Sequence, residues 1–259
     1  DNDQPAISPA EDLTLSYSGS FAIGSGASAE IVAYDPTSKR LFVVNSLQNK
    51  LEILSFGSLG SVGKIKSIDM SAFGIGIQSV AAKNGLIAAA VDGPNFGNGK
   101  AVFFNAEGEV QAQVEVGNLP DMITFTPDGK RVLTANEGQP NSAYTIDPEG
   151  SVSVINLPED IKTLQQSDVT TVGFNAFDAQ IETLRAAGVR IFGPNATVSK
   201  DLEPEYITFS EDGLTAYVTL QENNAIAKID LGLGVVVDVA PLGTIDHSVA
   251  GFGIDPSDR

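Results

Sequence analysis

One pattern recurs four times along these 259 residues and leaves few folds open to them. Ala29–Asn45 (AEIVAYDPTSKRLFVVN) and Pro120–Asn136 (PDMITFTPDGKRVLTAN) align without a gap over 17 residues. A third copy runs over Pro204–Leu220 (PEYITFSEDGLTAYVTL), and a shorter one, Gln78–Val91 (QSVAAKNGLIAAAV), loses two residues at its turn. Each copy reads as a polar, usually acidic residue, an alternating strand, a tight turn and a second strand. The turns, at Asp35–Ser38, Asn84–Gly85, Thr126–Gly129 and Ser210–Gly213, carry the Asp, Asn, Pro and Gly chemistry of hairpins. A third strand is predicted after each hairpin, at Lys50–Phe56, Lys100–Asn105, Ser151–Leu157 and Ala225–Asp230. Fourth strands are predicted at Lys64–Asp69, Val110–Val116 and Val235–Leu242.

A hairpin followed by two more antiparallel strands, repeated, is the signature of a β-propeller blade. The expectation is an all-β chain, a single propeller domain or the N-terminal portion of one over residues 1–259, with blades starting near 29, 78, 120 and 204. Four blades fit best as part of a larger ring of about seven or eight. The alternative is a complete four-bladed ring closed by a strand at Leu13–Ala22. Between the third and fourth copies lies an insertion near 159–203. Within it, Val169–Phe174 supplies the fourth strand of the third blade. Asn175 caps a predicted helix over Ala176–Ala187, with Phe177, Ile181 and Leu184 on one face and Gly188 at its C-terminus.

Composition narrows the chemistry. A formal net charge of −18 repels phosphate backbones, which argues against nucleic acid and makes divalent cations the natural partners. With no Cys and one His, thiol nucleophiles, Cys-ligated zinc, iron–sulfur clusters and two-His sites are excluded. No stretch approaches the roughly 20 apolar residues that span a bilayer. The chain begins at Asp1 without a basic, apolar leader, which fits a processed secreted protein and a trimmed piece equally.

In a propeller the first strand of each blade lines the central channel, so equivalent positions converge on one axis. The repeats place Glu30, Ser79, Asp121 and Glu205 at one such position, at the mouth of the inner strand. Carboxylates gathered there repel one another unless a cation, protons or water relieve them. Oxygen ligands without His or Cys favour Ca²⁺, and less strongly Mg²⁺. The plainer alternative is a ring of separately solvated acids or acids bonded to backbone amides. The second strands end in another polar set, Asn45, Asp92, Asn136, Glu137, Gln221, Glu222 and Asn223, which either binds a cation or sugar hydroxyl or caps strand ends. Asp201, Glu203 and Glu205 alternate just before the fourth inner strand. The metal-ligand candidates are therefore Glu30, Asp121, Glu137, Asp201, Glu205 and Glu222.

No catalytic residue emerges. Asp246–His247–Ser248 is not a triad, because sequence neighbours rarely point at one another, and Asp255 and Asp258 beside it lack EF-hand spacing. Gly93–Gly99 lacks the Lys-Ser/Thr ending of a phosphate-cradling loop. Asn195–Thr197 forms a glycosylation sequon, meaningful only in a eukaryotic secretory host.

The segments LPDMITFTPDGKRVLTANEGQP (Leu119–Pro140), DPEGSVSVINL (Asp147–Leu157), AAGVRIFGPNATVSKDLEPEYITFS (Ala186–Ser210) and VTLQENNAIAKID (Val218–Asp230) resemble the choice-of-anchor I proteins. These are bacterial exported propellers similar to mesenchyme-specific cell-surface glycoproteins, and relatives are often labelled alkaline phosphatases. The resemblance spans about Tyr17–Arg259. It departs at Phe21–Glu30 (FAIGSGASAE), where the family often carries an acidic FDEGAAE-like stretch.

Three functions are weighed. The resemblance and the acidity together suggest a secreted or cell-surface protein, bacterial by resemblance, that binds divalent cations in adhesion, matrix or mineral contact. Its partners would be those cations, a surface polymer, or the remaining part of the same propeller. The alternatives are a calcium-dependent phosphoesterase and a ligand-free interaction scaffold. Against the phosphoesterase, Lys39/Arg40 and Lys130/Arg131 sit at hairpin turns, away from the channel mouth.

Overall fold

The computed structural model describes residues 16–24, 28–58 and 61–253. They build four four-stranded antiparallel sheets, each with its strands in chain order. The first holds β1 (Ala29–Asp35), β2 (Arg40–Asn45), β3 (Lys50–Ser58) and β4 (Ser61–Asp69). The second holds β5 (Gly76–Lys83), β6 (Leu86–Asp92), β7 (Asn98–Asn105) and β8 (Val110–Asn118). The third holds β9 (Pro120–Phe125), β10 (Arg131–Asn136), β11 (Ser151–Asn156) and β12 (Val169–Gly173). The fourth holds β13 (Ile207–Phe209), β14 (Thr215–Leu220), β15 (Ala225–Asp230) and β16 (Val235–Pro241). The expected all-β, propeller-like blade architecture is what the chain adopts.

Successive sheets pack face to face. Phe42, Val44, Leu51 and Ile53 of the first meet Ile77, Ile87, Val91 and Phe104 of the second in one apolar core. Ala88, Phe103 and Val114 of the second meet Ile123, Val132 and Ile155 of the third. Leu133, Val152 and Val172 of the third meet Ile207, Val218 and Ile229 of the fourth. Because side chains alternate along a strand, each inner sheet gives one set to the core before it and the other to the core after it. That is why β6 reads LIAAAVD, with both faces buried. Among the described residues no core joins the fourth sheet to the first, and Val32, Tyr34, Tyr206 and Tyr217 on those outer faces are exposed. Leu13–Leu15 of the proposed closing strand lie outside the described residues, and Ser16–Ala22 form no strand.

The hairpin turns repeat their chemistry with their sequence. In the third sheet Thr126 Oγ1 and Lys130 N donate to Asp128 Oδ1 at 2.7 and 3.0 Å. In the fourth, Ser210 Oγ and Leu214 N donate to Asp212 Oδ1 at 2.6 and 3.0 Å. Gly129 and Gly213 follow with φ of +71° and +68°, a region open to glycine.

The insertion supplies β12 where expected and then packs over the third and fourth sheets. Asn175–Gln180 form a 3₁₀ turn that runs into the helix α1 (Ile181–Ala187). Asn175 is not its cap: the N-terminal position belongs to Phe174, and Asn175 Nδ2 donates to Glu149 Oε2 at 3.0 Å. Leu184 is buried in the shared core, with Phe177 and Ile181 packed against it. Gly188, at φ +106°, closes the helix. A single-turn helix, α2 (Val198–Asp201), leads to the fourth sheet.

Candidate cation site at the acidic end

Each of the first three inner strands starts with a bulge. In the third sheet Pro120 faces Asn136 and Met122 faces Ala135, leaving Asp121 as the extra residue. In the first, Ala29 faces Asn45 and Val32 faces Val43, so Glu30–Ile31 carry the bulge. A bulge unpairs a residue and re-aims its side chain. In the second sheet Ile77 faces Val91 and Ser79 faces Ala90, so the extra residue is Gln78. Ser79, assigned to that position from the repeat, is instead buried at 3% exposure. The short second copy, two residues shorter at its turn, hid this one-residue slip. In the fourth sheet the backbone pairing reaches Glu205, whose N–H donates to Thr219 O at 3.0 Å.

These residues share one end of the sheets with the termini of the second strands, and their carboxyls act on one another. Burial raises Asp121, and the charges of Glu30 and Glu222 raise it further. Glu137 is pushed up to about 8, by burial first and then by Asp121, Glu203, Glu222 and Asp92. Glu203 rises to about 7 through burial, Glu222, Asp201 and Asp147. Glu205, only 7% exposed, rises most, to about 9, through burial, a hydrogen bond with the Glu222 carboxyl, and the charges of Glu222, Glu137 and Asp121. Asp92 is raised by burial against a hydrogen bond from Gly93 N–H. Acids from all four sheets thus form one electrostatic cluster, drawn together from Glu30 to Glu222 along the chain.

Its members differ in what else they hold. The Asp201 carboxylate accepts Phe192 N at 2.9 Å and Gly193 N at 2.7 Å, tying down the loop after α1. Asn45, Asn136 and Asn223 are fully buried. Asn136 accepts from Thr134 Oγ1 at 2.8 Å and donates to Ser151 and Ser153 at 3.1 and 3.0 Å. Asn223 accepts Glu203 N at 3.0 Å and donates to Arg190 O and Asp201 O at 2.9 and 2.6 Å. These amides hold strand ends, the capping alternative. Asp147, in the loop after β10, joins the cluster without any repeat to announce it.

Beside Glu203 and Glu222 a cleft of ≈ 20 Å³, also lined by Tyr144, Asp147 and Lys200, has room for about one water. Among the described residues no three acidic or His side chains converge closely enough to hold one ion. Arg40 and Arg131 sit at the opposite end, beside the hairpin turns. Arg40 donates to Ala106 O and pairs with Glu107 at 3.0 Å, while Arg131 donates to Leu231 O at 2.9 Å. Each thus links its sheet to a turn of the next. His247 contacts Phe252 O at 2.5 Å, and Asp246 accepts from Ser248 N and Oγ, a local turn without a triad. Asp255 and Asp258 lie outside the described residues.

Comparison with known proteins agrees with this architecture. The family model for the choice-of-anchor I domain matches residues 30–259. No curated protein matches the chain. Among solved structures it is similar to hydrazine synthase of Kuenenia stuttgartiensis, at 13% identity and TM-score 0.53, covering 87% of this chain and 52% of that one. A functionally unknown protein from Desulfotomaculum acetoxidans matches at 13% identity and TM-score 0.57, over 83% of this chain and 58% of that one. Streptogramin B lyase matches at 13% identity and TM-score 0.51, over 83% and 54%. The chain spans about half the length of these structures, and at such identity the likeness is one of fold alone.

Proposed function

The chain belongs to the choice-of-anchor I family, and from that membership and its acidic end we propose an exported or surface-attached propeller module that binds divalent cations, Ca²⁺ before Mg²⁺. The observation that carries the reading is the gathering of Asp121, Glu137, Glu203 and Glu205 around Glu222 at one end of the sheets, where burial first and then the Glu222 charge raise all four. Charges so arranged are relieved by protons or by cations, and hard oxygen donors select Ca²⁺ over softer metals. With no preformed cage among the described residues, binding neutralises a charged surface through Glu30, Asp121, Glu137, Glu205 and Glu222, and affinity falls in the range of extracellular sites, about 10⁻⁴–10⁻³ M. Cations held on such a surface bridge to anionic polymers or mineral, which gives the adhesive role its physical basis.

Isothermal titration of the chelator-stripped protein with Ca²⁺ tests this reading. Saturable binding below about 5 mM, weakened at least about fivefold in the Asp121→Asn/Glu205→Gln double variant, is expected. No saturable heat up to about 10 mM removes the reading. A phosphoesterase has less to stand on: Lys200 lines the acidic cleft, but the two aligned arginines, Arg40 and Arg131, are engaged with backbone carbonyls at the far end.

A further inference from the structure

Adjoining the acidic cluster and sharing Asp92 with it, at the junction of the second and third sheets, lies a second cavity of ≈ 340 Å³. Ile75, Phe96 and Leu119 give it an apolar floor, and Asp92, Asn118 and Gln139 give it polar edges. Its size falls at the lower end of small-molecule pockets, which are mostly apolar with a few placed polar groups. Phe96 and Ile75 stay exposed although a large apolar side chain gains by burial.

The walls are built under constraint. Asn95 and Phe96 have φ of +57° and Leu119 +47°, left-handed conformations uncommon outside glycine and unfavourable for bulky residues. They are held by neighbours: Gly97 N donates to Pro94 O at 3.0 Å, and Glu137 N to Leu119 O at 2.9 Å. Gly93 permits the loop's tight return, since a Cβ there would stand 2.0 Å from Asn98 O. Asn118, 5% exposed, donates to Gly97 O at 2.8 Å, which fixes its amide at the cavity edge. Strain maintained at a cavity edged by side-chain amides directs attention to a ligand.

We propose that this cavity binds a neutral sugar, its pyranose ring lying on Phe96 and its hydroxyls meeting Asp92, Asn118 and Gln139. A pyranose has an apolar face and an edge of groups that both donate and accept, and side-chain amides match both roles. Anionic ligands are disfavoured, since no Lys or Arg lines the cavity and the chain carries −18. A cation would find only one carboxylate, Asp92, whose ionisation burial opposes.

The test is calorimetric or saturation-transfer titration with methyl glycosides of glucose, galactose, mannose and N-acetylglucosamine, with EDTA present so that cation binding plays no part. At least one glycoside should bind with a millimolar constant. Phe96→Asn, which accepts the left-handed backbone, and Asp92→Asn should each weaken it about tenfold or more. Glu203→Gln, in the acidic cluster, should leave it unchanged. The proposal is overturned if no glycoside binds up to about 50 mM, or if binding survives both cavity variants. Loss in Glu203→Gln alone overturns it too.

Discussion

Glu205 and Glu137 hold carboxyl groups whose pKa values lie near 9 and 8 in the folded chain, against about 4.5 in the unfolded one. Between those limits the folded state binds more protons than the unfolded state, so stability must fall as pH rises. The thermal midpoint of the metal-free protein is therefore expected to drop by several degrees from pH 5 to pH 9. Glu137→Gln and Glu205→Gln, which fix the neutral form, should each stabilise by about 1–2 kcal/mol at pH 8, discounted for the solvent that reaches Glu137, and by almost nothing at pH 5. Denaturant melts at the two pH values check this, and a gain equal at both would contradict it. The nearness of Asp121 to Glu205 followed from the repeat, because equivalent positions of neighbouring sheets lie at the same end. That of Asp147 did not, since it sits in a loop outside the repeated unit. That Asn136 holds a strand end was one of two readings open from the sequence; its partners Ser151 and Ser153 were not legible, because they reach it only through the pairing of β10 with β11.

At the scale of the element, the aligned Arg40 and Arg131 show how a repeated residue can serve assembly rather than chemistry. Each crosses to a carbonyl in the third-to-fourth-strand turn of the next sheet. Arg131→Ala should cost about 1–2 kcal/mol and Lys130→Ala less than about 0.5, measured by urea unfolding. Equal costs would show that the link is idle. Strands and turns were readable because alternation and Asp-Gly chemistry are local. The helix start was not, because Asn175 is drawn to Glu149, a partner 26 residues away that no capping rule contains. An ion pair between a buried glutamate and an exposed lysine went unseen for the same reason. Glu52, fully buried, meets Lys64 at 2.8 Å; burial alone would raise its carboxyl, yet Lys64, Ser67 and Asn45 hold it below its usual value.

For the whole molecule, three shared cores join four sheets in a row, and the two outer faces are uncovered among the described residues. Leu133→Ala, in the core between the third and fourth sheets, should cost about 2–5 kcal/mol. Tyr217→Lys on the outer face should stay within about 1 kcal/mol, and a core-sized loss there would mean that the face is covered in solution. The arrangement of sheets also explains why acids far apart in sequence behave as one group, which is the central claim. Proton release during Ca²⁺ binding, measured by calorimetry at pH 7.5 in buffers of different ionisation enthalpy, tests it most directly. Roughly one to two protons should leave per bound Ca²⁺, fewer in Glu137→Gln/Glu205→Gln. Ca²⁺ binding without proton release, or release unchanged by that double variant, would contradict it.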